Sequence, residues 1–458
     1  MRLAWFSPLP PDPSGIAAYT HEVVPLLRRS FRAIDLYTDA VGQIVRAAPS
    51  ATAARSTSDA DLPAVPSAHD FVWRHRRHPY DLIVYQLGNS ASHDFIWAYL
   101  FRYPGLLVLH DAQVHQARAL WLLRRLEPRL DDYLAEVRAS HPEAPPDLGL
   151  LFAAGLGGSL YRLWPLVGLA LRASRLTAVH NAHLASALSR AHADASVTAI
   201  DMGVADPLAD GPSDAAGRLR AHYDIPPGAC VIGAYGGLTP EKRIPQLLEA
   251  VAGLNGTPTP LHVLLVGQRA GHYDVDADIR RLGLASRVHV AGYVPDAELA
   301  AHLAAADVCW CLRWPSNGET SASWLRCLGT GRPTLITALA QLRDVPVLRV
   351  DAAGLLDGPM DDAVGVAVDP VDERRDMPRA LTSLAADADL RRRLGQAARR
   401  YWEARHTLPR MAAAYERLIR DAAVRSVPTP DLPPHLRDDG TRTAQRILSE
   451  IGLEELPW

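Results

Sequence analysis

Short apolar runs ending in small or polar residues alternate with helix-like segments twice along this chain, and no other feature restricts its fold as much. In the first half, "MRLAWFS" reads as a buried strand leading into a Pro/Gly loop, and "GIAAYTHEVVPLLRR" has helical periodicity. "AIDLYT", "YDLIVYQLG", "GLLVLHD", "RLTAVHN" and "ASVTAIDMG" repeat the strand pattern. After a polar stretch at 205–228 the series restarts with "CVIGAYGG", "LHVLLVGQ", "RVHVAGY", "DVCWCL" and "PTLIT". "PQLLEAVAGL", "DAELAAHLAAA" and "TSASWLRCL" are the helices between them. Strands separated by helices make parallel sheets. The expected fold class is therefore α/β, with two doubly wound domains facing a cleft. The expected boundaries are 1–205 and 206–405, then a helix at 406–425 packing back on the first domain. A Pro-rich tail, 426–458, carries a short amphipathic helix.

At 458 residues the chain is long for one core, which agrees with more than one domain. Its 48% apolar and 22% charged residues are those of a globular protein. A net charge of −3 gives no reason to expect nucleic acid as a bulk partner. None of the four cysteines, Cys230, Cys309, Cys311 and Cys327, has metal-ligand spacing, and Cys309 and Cys311 share one face of a strand. A reduced, cytoplasmic setting is expected, and the N-terminus lacks the apolar stretch of a signal peptide. The stretch 151–171 has the length of a membrane span, but Arg162, Pro165 and several glycines interrupt it. It reads as one or two packed helices, with peripheral membrane contact as the minor reading.

Two loops combine residue types suited to binding an anion. In "YGGLTPEKRIPQLLEAV" a strand ends at Tyr235, and Gly236 and Gly237 let backbone approach a ligand closely. Lys242 and Arg243 stand just before a helix N-terminus, where amide groups and the helix dipole already favour negative charge. Lys242 is the only lysine; every other basic side chain is arginine. The bland reading is a strand-to-helix turn with solvated charges. In "RWPSNGETSASWLRCLGTGRPTLIT", Glu319 precedes a helix opening near Thr320, and Ser321, Ala322 and Ser323 leave its end sterically open. Here the bland reading is a carboxylate complementing the helix dipole.

In this order, "GGLTPEKR", "HVLLVGQ", "RVHVAGYVPDAELAAHLAAADV", the P-x-x-G-E-T-S stretch and "GRPTLIT" resemble the retaining nucleotide-sugar glycosyltransferases of the GT-B fold. That large family includes sucrose-phosphate and mannosyl-phosphoinositol synthases. The similarity is clearest over about 230–340, and weaker over 1–30, 80–115 and 176–206. It implies two Rossmann-like domains, the first on the acceptor side and the second binding the nucleotide-sugar donor. It implies that Gly15 of "PDPSGIAAY" lies near the donor diphosphate, that His110 of "VLHD" lies by the transferred sugar with Asp111 after it, and that Lys242 grips the diphosphate. It places Tyr293 and Val294 beside the base and Glu319 beside the donor sugar. His110 and Glu319 are thus the candidate catalytic residues. Gly15, Gly236, Gly237, Lys242, Arg243, Thr320 and Ser321 are the candidate diphosphate-binding set.

Two departures matter. Gly237 stands where the family usually has arginine, which leaves Arg243 as a candidate replacement. The second acid of the family's paired-glutamate motif falls on Arg326 or Cys327, so ribose binding has no assigned residue. The histidines at 110, 115, 180 and 183 near strand ends lack the ligand count of a metal site. The expected activity is transfer of a sugar, of hexosyl type, from a nucleoside diphosphate to an acceptor hydroxyl with retention, without metal or other cofactor. The acceptor would be a glycan, a lipid-linked molecule or a small molecule. The alternatives are a nucleotide-sugar epimerase and a catalytically inactive nucleotide-sugar-binding subunit. Dinucleotide-dependent oxidoreduction ranks third, because no G-x-G-x-x-G follows a strand.

Overall fold

The computed structural model describes residues 1–12, 14–39, 66–124, 126–209, 214–254 and 258–452. By their internal contacts they form two compact units. One comprises 1–200, 317–320 and 412–458; the other comprises 201–316 and 321–411.

The first unit is built on six parallel strands: β1 (Arg2–Phe6), β2 (Ala33–Tyr37), β3 (Leu82–Leu87), β4 (Leu106–Leu109), β5 (Leu176–Val179) and β6 (Val197–Ala199). Their order across the sheet is β2-β1-β3-β4-β5-β6. Every residue of β3, β4 and β5 is buried, as a parallel sheet covered by helices on both faces requires. The helix Leu408–Val424 enters this unit from Ala412 onward. There Tyr415 meets Tyr19 through a 2.7 Å hydroxyl–hydroxyl bond, and Ser30 donates to Glu416 at 2.6 Å. The tail is docked as well: His435, on the short helix Pro434–Arg437, lies 2.9 Å from the buried carboxylate of Glu136. The amphipathic helix runs over Thr441–Glu450, and the last part of the expected tail, 453–458, lies outside the described residues.

The second unit has eight strands: β7 (Cys230–Tyr235), β8 (Leu261–Val266), β9 (Val288–Gly292), β10 (Val308–Cys311), β11 (Thr334–Thr337), β12 (Leu348–Val350), β13 (Leu356–Asp357) and β14 (Gly365–Val368). They run in the order β13-β12-β14-β11-β10-β7-β8-β9, all parallel except the β12–β13 pair. Both sheets are Rossmann-like. Cys309 is fully buried on the face opposite Trp310, against Cys327, and all four cysteines are free.

Two expectations change. The stretch 151–171 is not one or two packed helices. It divides into the end of the helix Leu148–Ala153, a 3-10 turn at Gly158–Leu163 and the start of the helix Gly168–Arg172. Gly155 and Gly158 have φ of +75° and +52°, outside helical geometry, and Pro165 follows. Among the described residues no helix is long and apolar enough to cross a membrane. Glu319, expected in the 206–405 domain, belongs by contacts to the first unit. Its loop is held there by backbone: the Ala112 amide donates to Asn317 O at 2.9 Å, and Asn181 Nδ2 donates to Gly318 O at 3.0 Å.

Candidate active site

In the second unit the site begins where β7 ends. Gly236 has φ of +86°, a conformation that L side chains rarely adopt. Its amide donates to Val266 O at 2.8 Å, so the strange turn is anchored to the neighbouring strand. A Cβ on Gly236 would lie 2.2 Å from Lys242 Nζ and 3.4 Å from Ser323 Oγ. The space beside Gly236 is therefore shared by the chain's only lysine and the opening turn of the helix Ala322–Gly329. Gly237 has no such role, since a Cβ there would meet nothing nearer than Thr239 Cγ2 at 3.8 Å.

Lys242 closes a 3-10 turn, Pro240–Lys242, and its carbonyl accepts from Trp310 Nε1 at 3.0 Å. Its Nζ donates to the strand-end carbonyl of Tyr235 at 2.6 Å. Burial, and then the like charge of Arg313, push the Lys242 pKa down to about 7. The ammonium is thus held where a second cation already stands and where water is scarce. Opposite it, Ser321 caps its helix by accepting from Trp324 N at 3.3 Å. The amides of Ala322 and Ser323 remain as first-turn donors with no intrahelical acceptor. The chain's only lysine and a helix N-terminus thus close on one glycine, with Arg313 near enough to Lys242 to act on its charge, an arrangement chemically suited to an anion.

Arg243 does not join this arrangement. It adopts the left-handed conformation at φ 57°, and its guanidinium forms a two-point ion pair with Glu373. The arginine expected to replace the missing one is thus committed elsewhere, and Arg313 stands near Lys242 instead. Sequence reading passed over Arg313, although it is the first basic residue after β10 in the loop that carries Glu319. Tyr293 is 71% exposed beyond the end of the edge strand β9, and Val294 packs partly into the core beside Ala291 and Leu299. Arg326 is half-buried on the helix Ala322–Gly329, and the Cys327 side chain contacts Cys309 and Cys311. Neither position supplies an acid.

The first unit carries its own polar centre at the carboxyl ends of β3, β4 and β5. His110 follows β4 and is buried; its Nε2 pairs with Gln86 Oε1 at 2.8 Å. Because an amide oxygen only accepts, Nε2 carries the proton. Gln86 Nε2 in turn donates to Tyr415 Oη at 3.3 Å, and Tyr415 meets Tyr19. The Tyr19 ring stands edge-on to His110 at 4.9 Å, and His180 lies 4.9 Å away on another side. Burial first, then the neighbouring His180 and His93, hold the His110 pKa well below its usual value, so its imidazole is neutral. Gln86 was the missed residue here; a lone amide inside the buried run "LIVYQL" was the available signal.

The loop 317–320 sits at this same edge. Glu319 Oε2 accepts from the Asn317 amide at 2.7 Å, and Thr320 Oγ1 donates to His180 O at 3.1 Å. Arg162 donates to the Asn317 side chain. Gly318, at φ +79°, would press a Cβ to within 3.2 Å of Ala112 Cβ. The structure therefore brings Glu319 to the strand ends that carry His110, and it commits the Thr320 hydroxyl to a carbonyl. Asp111 Oδ2 accepts from Asn89 N at 2.9 Å, which shapes the adjoining loop. Gly15 begins the helix Gly15–Leu27, capped by Ser14, and a Cβ there would meet nothing within 4 Å. Its surroundings are open, so the requirement for glycine does not come from packing. His115 is structural: its ring nitrogens meet Trp164 O and Tyr133 Oη at 2.7 and 2.6 Å. Among the described residues no group of three or more His, Cys, Asp and Glu side chains is arranged to hold a metal ion.

Two Rossmann-like sheets of mostly parallel strands are the architecture of the GT-B class of α/β fold. Residues 229–373 match the family model described as glycosyl transferases group 1. The chain is a glycosyltransferase, with its group 1 domain in the second unit. Among solved structures it is similar to sucrose-phosphate synthase from Thermosynechococcus elongatus, at 16% identity and a TM-score of 0.60, covering 92% of this chain and 98% of that one. It is similar to HepE of Anabaena in complex with UDP and glucose, at 16% identity and a TM-score of 0.57, covering 92% and 99%. It is also similar to WaaG, a glycosyltransferase involved in lipopolysaccharide biosynthesis, at 15% identity and a TM-score of 0.57, covering 91% and 99%. These likenesses concern the fold. No curated protein matches the sequence.

Proposed function

We propose that this glycosyltransferase moves a hexosyl group from a nucleoside diphosphate sugar to an acceptor hydroxyl with retention of configuration. The observation that carries the proposal is the convergence of Lys242 Nζ and the first turn of the helix Ala322–Gly329 on Gly236. In the reaction the acceptor oxygen bonds to the anomeric carbon while that carbon's bond to the diphosphate oxygen breaks. The acceptor proton leaves with the diphosphate. Charge grows on the departing group, so positive groups already fixed around it favour the transition state over the ground state. Lys242, Arg313 and the amides of Ala322 and Ser323 are those groups. With that charge supplied by the protein, turnover should persist in the presence of a chelator.

His110 suits contact with the sugar: it is neutral, and Gln86 fixes its orientation. Glu319 suits hydrogen bonding to sugar hydroxyls, since a carboxylate accepts strongly. Because HepE binds UDP, uridine diphosphate sugars are the first donors to try. Four free cysteines agree with work in a reducing compartment such as the cytoplasm. The test is a panel of nucleotides and nucleotide sugars against the purified chain, read by thermal shift and then by release of nucleoside diphosphate with candidate acceptors. A ligand at 100-fold its dissociation constant should add about 2.7 kcal/mol of stability. Donor turnover giving an isomerised nucleotide sugar with no acceptor would replace transfer by epimerisation. Stabilisation by no nucleotide would remove the donor reading.

A further inference from the structure

The second sheet has a second basic feature, at the edge opposite Gly236 and Lys242. A cavity of about 560 Å³ opens between the loop 331–333 and the helix Ala388–Arg405. Asp307 and Pro333, which immediately precede β10 and β11, line it. It therefore lies at the amino ends of the strands, whereas Gly236 follows the carboxyl end of β7. Its size falls within the usual range for small-molecule pockets. Its close walls depend on two glycines: a Cβ on Gly395 would lie 2.2 Å from Gly331 O, so only glycine lets the helix approach this loop.

The lining includes Arg332, Arg391, Arg392, Arg399 and Arg400 against one acid, Asp307. That acid is already taken, by Arg220 at 2.9 Å and by the Val231 amide at 2.8 Å. Arg399 is matched by Asp206 and Glu403, and Arg392 by Asp389, each at 2.7 Å. The other three have no carboxylate partner among the described residues. Arg332 donates to Ala304 O, Arg391 to Leu384 O and Ala385 O, and Arg400 to Asp361 O. A carbonyl orients a guanidinium without neutralising it. In addition, the buried Nε of Arg332 has no acceptor. Here three uncompensated guanidiniums line one concavity.

We propose that this cavity binds a small polyanion bearing phosphate groups, at a site separate from the diphosphate seat. Arginine suits that class, because its planar fork meets two phosphate oxygens at once. The test titrates inorganic tripolyphosphate into the full-length chain by calorimetry, with chloride at matched ionic strength as the control. The variants are wild type, Arg392→Glu with Arg400→Glu, and Lys242→Ala. Both reversed arginines are exposed, so the double variant should keep the wild-type melting temperature. The expected result is a binding event that survives Lys242→Ala and weakens about tenfold or more in the double variant, by the usual value of charged hydrogen bonds. Should the double variant fail to fold, hydrogen exchange on the wild type decides. Tripolyphosphate should then slow the amides of 388–400, and no slowing there overturns the proposal. Loss of binding in Lys242→Ala alone would also overturn it while leaving the donor seat intact. Equal affinity in all three proteins would mean diffuse surface attraction and would overturn it too.

Discussion

Raising the pH from 7 to 8.5 should weaken nucleoside diphosphate binding about sixteenfold if Lys242 grips the diphosphate. Burial and Arg313 set its pKa at about 7 before a ligand arrives. A bound diphosphate supplies the missing counter-charge and should return the lysine towards its ordinary value, roughly 10.4. Only the protonated lysine then binds well, and the apparent dissociation constant grows as one plus ten to the power of pH minus about 7. Between pH 7 and 8.5 that factor is about 16, or about 1.6 kcal/mol, and at pH 8 about 0.9 proton is taken up on binding. The phosphates stay ionised over this range, their second pKa being near 6. Calorimetry of UDP in two buffers of different ionisation enthalpy measures both quantities. Lys242→Arg is the internal control, since a guanidinium remains charged throughout and its binding should lose the pH dependence. The same shift has a sign in stability. Between about pH 7 and 10.4 the unfolded chain holds more protons on Lys242 than the folded chain, so its contribution to stability rises with pH across that window. At pH 7 the penalty is at most about 4 kcal/mol. Lys242→Met should therefore raise the melting temperature, more at pH 7 than at pH 9, while losing UDP binding. A wild-type affinity that stays flat from pH 7 to 8.5, with no proton uptake, would refute the reasoning.

Four further outcomes follow from particular contacts. Gly236→Ala should cost about 1–3 kcal/mol through its left-handed backbone and displace the ammonium, so both the melting temperature and UDP affinity fall. Arg243→Gln should lower stability by about 1–3 kcal/mol by stranding Glu373, yet leave UDP affinity unchanged in calorimetry; a large affinity loss would return Arg243 to the diphosphate seat. Glu319→Gln keeps an acceptor for the Asn317 amide, so it should preserve the melting temperature while sugar transfer falls severely; full activity would make Glu319 a loop-shaping residue only. His435→Ala removes the tail's contact with Glu136, and limited proteolysis between 425 and 440 should accelerate while UDP binding holds.

Much of the fold was legible because buried parallel strands are continuous apolar runs. β1 to β11 all fall on runs that stand out in the sequence, and "LIVYQL", "CVIGAY" and "LHVLLV" are buried at every position. β12, β13 and β14 were not singled out. β12 reads "LRV" and is three residues long, β13 has two residues, and β14 is the four-residue "GVAV". β12 and β13 are partly exposed, so neither reads as a continuous buried run. Lys242 could be singled out by its rarity and its place before a helix. The fate of Arg243 could not, because Glu373, its partner, is 130 residues away. Glu319 was expected in the second domain, but its contacts place it in the first unit. Its neighbours in sequence lie in the second unit, whereas the bonds that hold its loop come from Ala112 and Asn181. Long-range pairings of this kind leave no local pattern.

The charge around Gly236 also makes sense of a lysine in a chain of arginines. Under the proposed reaction, a sugar diphosphate ester arrives with about two negative charges and departs with about three. Arg313 already acts on Lys242 as a like charge, and the helix N-terminus adds roughly half a positive charge. A second permanent guanidinium in the position of Lys242 would have to remain charged, partly buried and beside Arg313 whenever the donor is absent. An amine escapes that cost by releasing its proton, which is what a pKa of about 7 describes. It recovers the proton as the diphosphate enters, and the positive charge is then greatest when the leaving group needs it. Gly236 completes the arrangement, since any side chain there would occupy the place of the ammonium.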